Sequence, residues 1–226
     1  MQCSTGISEE LSMEKLITAY SCIGEGKVVV NKRLIFNQEK IITFAEFIKA
    51  LYKQEQIAYP KFYKMDALSK LGFMCAELLL RQGNPGRFKP DSLAVVLANS
   101  SSSLDTDLTH QESIRNRAAY FPSPSVFVYT LANIVIGEIC IRHSLKGENA
   151  FLISETFNPG QLTEYVSEIL DNKRAGACIC GWVEILGNDF SAMMALVEKE
   201  NSTDPENGFT PLPFNEATLI DLIKVN

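Results

Sequence analysis

Residues 147–187 read GENAFLISETFNPGQLTEYVSEILDNKRAGACICGWVEILG, and the order of signals within them decides the fold. Ala150–Ile153 reads as a short strand, Gly160–Asn172 as a helix and Ala175–Leu186 as a second strand. Asn158 is a good N-cap, and Pro159 suits a first helical turn, where its missing N–H costs nothing. Gly187 and Asn188 make a tight turn into Phe190–Lys199, which is expected to pair back antiparallel.

Upstream, SLAVVLA (Ser92–Ala98) is a continuous apolar run of strand length, the kind found where helices cover both faces of a sheet. The polar tract that follows it, NSSSSLDTD, reads as a loop. A long, mainly apolar helix is expected from Ser125 to about Ser144, after Ser123-Pro124. Its sequence SVFVYTLANIVIGEICI is apolar nearly all round, as in a helix buried on every side. Nearer the N-terminus, Lys15–Ile23 and Lys27–Ile35 read as two strands joined by the turn GEGK. Thr43 and Glu46 form a capping box opening the helix FAEFIKALYKQ. Tyr59-Pro60 breaks the chain, Met65–Gln82 has helical apolar spacing ending at Gly83, and GNPGRFKPD is a dense turn region. The expected organisation is a flexible leader over 1–14, one domain over 15–200, and a linker with a short apolar segment, ATLIDLI, over 201–226. This order implies a layered α/β domain with helices on both faces of one mixed sheet. No G-x-G-x-x-G follows a strand and no G-K-[ST] occurs, which excludes Rossmann and P-loop nucleotide sites.

Apolar residues make up 46% and charged residues 21% of the 226, enough for a proper core. No apolar run approaches the roughly 20 residues of a membrane-spanning helix. The first ten residues carry Glu9 and Glu10 but no Lys or Arg, the wrong sign for a secretory signal, so a soluble, cytoplasmic protein is expected. The net charge of −6 argues against a nucleic-acid footprint. Lys61, Lys64 and Lys70, the densest basic stretch, alternate with Phe62, Tyr63, Met65 and Leu68 and read as the edge of an amphipathic helix.

Six cysteines at irregular spacings form no disulfide framework of the short secreted kind. Cys178 and Cys180 have no second pair and no nearby His to complete a zinc site, so no metal and no cofactor are expected. Alternating with Ala177 and Ile179, both thiols point to one face of a strand, where free cysteine packs as a small hydrophobe.

Three segments add a family signal. KFYKMDALSKLGFMCAELLL (61–80) precedes the core strand LAVVLA. FPSPSVFVYTLANIVIGEICIRHSLKGEN (121–149) carries Pro124, Asn133, Gly137, Ile141-Arg142 and Gly147-Glu148-Asn149. KRAGACICGWVE (173–184) carries Gly181 and Glu184. In this order and spacing they resemble the N-terminal half of β-ketoacyl-(acyl-carrier-protein) synthases of the thiolase-like superfamily, over about residues 15 to 200. The resemblance implies one half of a thiolase-like fold, α/β, with a mixed five-stranded sheet and helices on both faces. It also places a nucleophilic cysteine at a sharp strand-to-helix turn. Counting from Gly147 and back from Gly181, that position holds Thr156, and the following family Ser and Gly positions hold Asn158 and Pro159.

The substitution bears on chemistry. A thiolate is stabilised at a helix N-terminus and is intrinsically nucleophilic, whereas a threonine hydroxyl needs a dedicated base. The family's two catalytic histidines lie in its second half. His110 is expected to be solvated and His143 to interact with a helix C-terminal dipole, and neither matches a catalytic position.

Three functions remain open. The first is a non-catalytic ketosynthase-like subunit, similar to a chain length factor, in fatty-acid or polyketide-type biosynthesis. A lone half would leave an apolar helix face uncovered, so this reading implies a homodimer, or a heterodimer with a ketosynthase-like chain, with acyl carrier protein a further partner. The second is a 3-oxoacyl-(acyl-carrier-protein) synthase-type acyltransferase, alone or as half of a split enzyme. Thr156, Ser154 or a serine of Ser100–Ser103 would be its nucleophile, with Glu155 and His110 as helpers. The third is a module that holds an acyl chain in a slot lined by Tyr129, Phe151, Phe157 and Met193.

Overall fold

In the computed structural model, which describes residues 14–38, 43–116, 118, 121–200 and 208–225, the chain builds one sheet with a helical layer on each face. The elements are β1 (Lys15–Gly24), β2 (Lys27–Val30), β3 (Arg33–Asn37), α1 (Phe44–Gln54), α2 (Ala67–Gly83), β4 (Leu93–Asn99), α3 (Leu104–Arg115), α4 (Pro124–Phe127), α5 (Ile134–His143), β5 (Asn149–Ile153), α6 (Pro159–Asp171), β6 (Ala177–Leu186), β7 (Asp189–Lys199), β8 (Leu212–Pro213) and α7 (Glu216–Ile223). The expected leader lies outside the described residues except for Glu14.

The sheet order is β3-β2-β1-β7-β6-β4-β5, with β8 beside β1. β4 runs parallel to β5 and β6, while β7 is antiparallel to both β6 and β1. Among the described residues the sheet has eight strands, not the expected five. β2, β3 and β8 extend it around β1. The reading of Lys27–Ile35 as one strand is corrected to a hairpin. Asn31 and Lys32 both adopt positive φ, 48° and 68°, the conformation of a two-residue turn whose twist matches flanking strands. The Asn31 side chain also accepts a hydrogen bond from Tyr20 N at 2.8 Å, which fixes the turn over β1.

β4 is buried along its whole length, as its apolar run predicts. On one face, α1, α2 and α5 bury Phe47, Leu51, Leu71, Phe73 and Ile139 over the sheet. On the other, α6 packs Leu162, Val166, Ile169 and Leu170 against Val96, Cys178 and Cys180. Thr43 caps α1 through the expected box, with Glu46 N donating to its hydroxyl and its own N–H donating to the Glu46 carboxylate.

Three further expectations change. The apolar stretch from Ser125 to Ser144 is two arms bent by 100°: α4 with a 3₁₀ turn over Val128–Thr130, then α5. The Ser103 hydroxyl holds the bend by donating to Thr130 O at 2.8 Å. α5 buries Val135, Ile136 and Ile139, but α4 and the turn expose Phe127 (61%) and Leu131 (60%), so this stretch is not covered on every side. The polar tract after β4 is a loop only as far as Ser103, because α3 starts at Leu104.

The segment read as linker and short apolar tail folds back from Gly208 onward. Leu212 and Pro213 pair with β1, and α7 places Leu219 and Leu222 in the core beside α6. That segment covers the part of the sheet face that α6 does not reach, and the outward side of α6 carries the exposed Gln161, Glu164, Glu168 and Asp171. The expected bare apolar face is therefore absent on this side. No single helix among the described residues is long and apolar enough to cross a membrane.

Candidate functional site at the carboxyl ends of the strands

β4 lies between its parallel neighbours β5 and β6, and the two connections leave on opposite faces. The chain goes from β4 to β5 through α5 on one face, then crosses from β5 to β6 through α6 on the other. In open α/β sheets such a switch of direction leaves a crevice outside the carboxyl ends of the strands, where ligands bind. Three pieces meet here: Ser100–Ser103 after β4, Ser154–Asn158 after β5, and the end of β6 with Glu184.

The second piece is the turn at which Thr156 was placed. Ser154 N donates to Asn99 O at 3.1 Å, fastening the end of β5 to that of β4. The Ser154 hydroxyl donates to the Thr156 carbonyl at 2.8 Å, so it is spent on shaping the turn. Asn158 caps α6 as expected by accepting from Gln161 N at 3.0 Å, with Pro159 in the first turn. Phe157 packs edge-on to Trp182 of β6, with ring centres 5.6 Å apart. Glu155 and Thr156 are exposed, and no side-chain hydrogen bond or ion pair engages either among the described residues. The strand-to-helix turn is present, and among the described residues no base engages Thr156.

Sequence reasoning undervalued the first piece. One oxygen of Glu184 accepts from Ser100 N at 2.6 Å, from the Ser100 hydroxyl at 2.6 Å and from Ser101 N at 3.3 Å. The other oxygen is buried and has no hydrogen-bond partner among the described residues. Asn99, fully buried, exchanges two hydrogen bonds with the Ser102 backbone at 2.8 and 3.0 Å. Ser102 is held at φ 52°, a conformation that costs a non-glycine residue about 1 kcal/mol or more and marks a tightly determined turn. The available signal was the run of serines directly before Asp105 and Asp107, which fill the first turn of α3. Asp105 also accepts from Gly187 N at 2.8 Å, tying the β6–β7 turn to α3.

The remaining family-motif residues divide clearly. A Cβ on Gly181 would lie 2.0 Å from Met193 O, and one on Gly147 would lie 2.4 Å from Leu93 O, so both positions bring backbones into close approach. Gly137 has nothing within 4 Å of its absent Cβ. Asn133 precedes α5 but makes no side-chain cap. Asn149 opens β5, in register with Val95.

The histidines are engaged elsewhere. His110 lies on α3, half-buried with its ring 5.5 Å from Phe127, which corrects the expectation that it is solvated. His143 ends α5, at the opposite end of β5 from the turn. Its Nε2 is 3.2 Å from Glu77, which also takes a bidentate pair from Arg142 at 3.1 and 3.0 Å. Burial opposes charge on Glu77, but the close His143 imidazole and the bidentate hydrogen bonds from Arg142 outweigh it and hold the carboxyl at about 2.

The four slot residues do not converge. Tyr129 and Phe151 pack on one face of the sheet, Phe157 and Met193 on the other. Tyr129 donates to Glu138 at 2.9 Å; burial and that carboxylate push its pKa up. Cys178 and Cys180 lie in one core cluster, and burial raises both thiols. Among the described residues no group of three or more His, Cys, Asp or Glu is placed to hold a metal ion.

This architecture is the thiolase-like fold of ketosynthases and chain length factors. The chain is similar to the ishigamide ketosynthase/chain length factor, at 16% identity and a TM-score of 0.64 over 84% of this chain and 63% of that one. It is also similar to the ketosynthase ApeO in complex with its chain length factor ApeC from Xenorhabdus doucetiae (15%, 0.54, 83% and 79%). A β-ketoacyl synthase from Burkholderia phymatum STM815 matches at 11%, 0.59, 88% and 62%. The chain thus spans 63% of the length of the first of these. No family model matches the sequence, and no curated protein matches it.

Proposed function

We propose that the protein is a non-catalytic ketosynthase-like subunit that pairs with another ketosynthase-like chain in polyketide-type or fatty-acid biosynthesis. One observation supports this reading: on the turn between β5 and α6, where the resemblance puts a nucleophile, stands Thr156, exposed and engaged by no side-chain base among the described residues. Ser154 is committed to the Thr156 carbonyl, Glu155 faces solvent, and the Ser100 hydroxyl donates to Glu184, a carboxylate already taking two backbone N–H groups. A threonine in this setting stays protonated at neutral pH.

Support for a partner comes from the β5 side. β5 is the last strand of the sheet, and its second edge pairs with no strand among the described residues. It carries Ala150, Phe151, Leu152 and Ile153, with Ile153 57% exposed and no charge or proline among them to block pairing. Leu104, Leu108, Phe121, Phe127, Val128 and Leu131 are also exposed, on α3, α4 and their flanks. A second ketosynthase-like chain, or a second copy, would cover such an edge by antiparallel pairing across a two-fold axis.

The test is the intact mass of the protein after incubation with acyl- and malonyl-thioesters, beside Thr156→Ala. No adduct is expected. An adduct lost in Thr156→Ala places chemistry there and favours the acyltransferase reading. Light scattering is expected to give twice the monomer mass, falling to one monomer in Ile153→Lys; a clean wild-type monomer overturns self-pairing.

A further inference from the structure

A cavity of about 390 Å³ lies at the amino ends of β4 and β5, the opposite end of the sheet from the Thr156 turn. Its size is within the range of small-molecule sites. Phe88, Pro90, Leu93 and Leu145 give it apolar walls, Lys89 and His143 supply its polar side chains, and no carboxylate lines it among the described residues. The walls come from two segments tied together through the main chain. One is the turn region between α2 and β4, where Ser92 N donates to Lys89 O at 2.9 Å. The other is the path from α5 to β5, where Lys146 N donates to Pro90 O at 2.7 Å. The gap between them is therefore set by backbone bonds and is preformed.

The two polar side chains are both available. Lys89 is exposed, and its ammonium makes no hydrogen bond or ion pair among the described residues. His143 is more enclosed. Its Nε2 lies 3.2 Å from Glu77, while its Nδ1 is neither buried nor engaged by a partner among the described residues. Glu77 stays ionised across the physiological range, because His143 and Arg142 outweigh the burial that opposes its charge. Arg142 from α5 and Arg81 from α2 also face Glu77, and Arg81 pairs with Glu55 as well. An imidazole with a fixed carboxylate behind one nitrogen is set to hold a proton on the other when a second anion arrives. We propose that this cavity binds a small organic carboxylate, its head between His143 Nδ1 and the Lys89 ammonium and its apolar body against Phe88, Leu93 and Leu145. Two single-point donors suit one negative charge; no guanidinium lines the cavity among the described residues to take the further oxygens of a phosphate. Arg142 and His143, in the last turn of α5, offset the negative end of that helix. The inference rests on the cavity alone and is independent of the readings at Thr156 and β5.

The histidines report on it directly. The chain has two, and His110 on α3 serves as the internal control for His143. The experiment is a titration of the full chain with cinnamate at constant pH, followed by proton NMR of the imidazole signals and by calorimetry. Cinnamate is expected to shift the His143 signals to saturation and to leave those of His110 in place. Cinnamamide, which has the same shape without the charge, is expected to bind about tenfold or more weaker. His143→Gln is expected to weaken cinnamate about tenfold or more, and Lys89→Gln about two- to fivefold, with neither changing the affinity for cinnamamide. Lys89 is exposed and holds no partner among the described residues, so Lys89→Gln carries the test if His143→Gln does not fold. Three results would each overturn the proposal: His143 signals that do not move up to the solubility limit of cinnamate, equal affinities for cinnamate and cinnamamide, or a cinnamate affinity that no folded variant of the two lowers.

Discussion

Glu77 is the electrostatic clamp between α2 and α5, and α5 delivers the chain to β5 and the turn at Thr156. Its carboxylate is buried, receives Arg142 and His143, and lies 4.0 Å from Arg81. Its pKa falls from the ordinary 4.5 to about 2. At about 1.4 kcal/mol per unit this amounts to some 3 kcal/mol of stability at neutral pH, an upper figure because solvent reaches Arg142 and Arg81. A carboxyl whose pKa is depressed by folding contributes fully above its unfolded value, and the contribution drains away as pH falls through the folded one. The window here runs from about pH 4.5 down to about pH 2. Roughly 2 of the 3 kcal/mol should be gone at pH 3. The assay is urea unfolding of wild type and Glu77→Gln at both pH 7 and pH 3. The wild type should lead by at most about 3 kcal/mol at pH 7, and more than half of that lead should be gone at pH 3. A lead that is the same at both pH values would refute the reasoning, since the ionised carboxylate would then contribute nothing beyond its shape.

The other predictions test the two strand ends and the motif glycines. Gly181→Ala forces a Cβ to 2.0 Å from Met193 O and should lower stability by about 3 kcal/mol or more in thermal melts, whereas Gly137→Ala, with open space around it in a helix, should raise stability by about 0.5–1 kcal/mol. Glu184→Ala strands the N–H groups of Ser100 and Ser101 and should cost about 3 kcal/mol, with faster hydrogen exchange confined to residues 100–104; Glu184→Gln, which keeps an acceptor, should recover about half of the loss. Equal melting temperatures for wild type and Glu184→Ala would show that the serine turn does not depend on this carboxylate.

The strands and helices that could be read from sequence were those whose signals are local. The Thr43–Glu46 box, the Asn158-Pro159 start of α6, the wholly apolar β4 and the Gly187-Asn188 turn each state their conformation within a few residues. Two features, a bend and a short helix, escaped for the same physical reason. The break in 125–144 is set by Ser103, over twenty residues away, donating to Thr130 O, and no periodicity within the stretch reveals it. α7 is too short to be held by its own propensity and exists because Leu219 and Leu222 find β1 and β7. The site shows the same division. The turn before α6 was legible because Asn158 and Pro159 state a helix start within two residues. The Ser100–Glu184 link joins residues 84 apart in sequence and becomes visible only when β4 and β6 lie side by side.

The distribution of apolar surface argues for where a second ketosynthase-like chain would sit. Two faces compare as places for the proposed partner, the outside of α6 and the outer edge of β5. On α6 the outward positions are Gln161, Glu164, Glu168 and Asp171, and the neighbouring sheet surface is already filled by the chain's own Leu219 and Leu222. At β5 the outer edge, with Phe151 and Ile153, pairs with no strand among the described residues, and Phe127 of α4 and Leu131 after it are exposed. Charged residues on one side cost nothing in water, whereas apolar residues and an open strand edge on the other favour association. A charge placed at Ile153 should therefore weaken pairing, while a charge of the same sign at Gln161 should leave it intact. Light scattering of Ile153→Lys and Gln161→Lys separates the two faces, and loss of pairing in Gln161→Lys alone would move the partner to the α6 side.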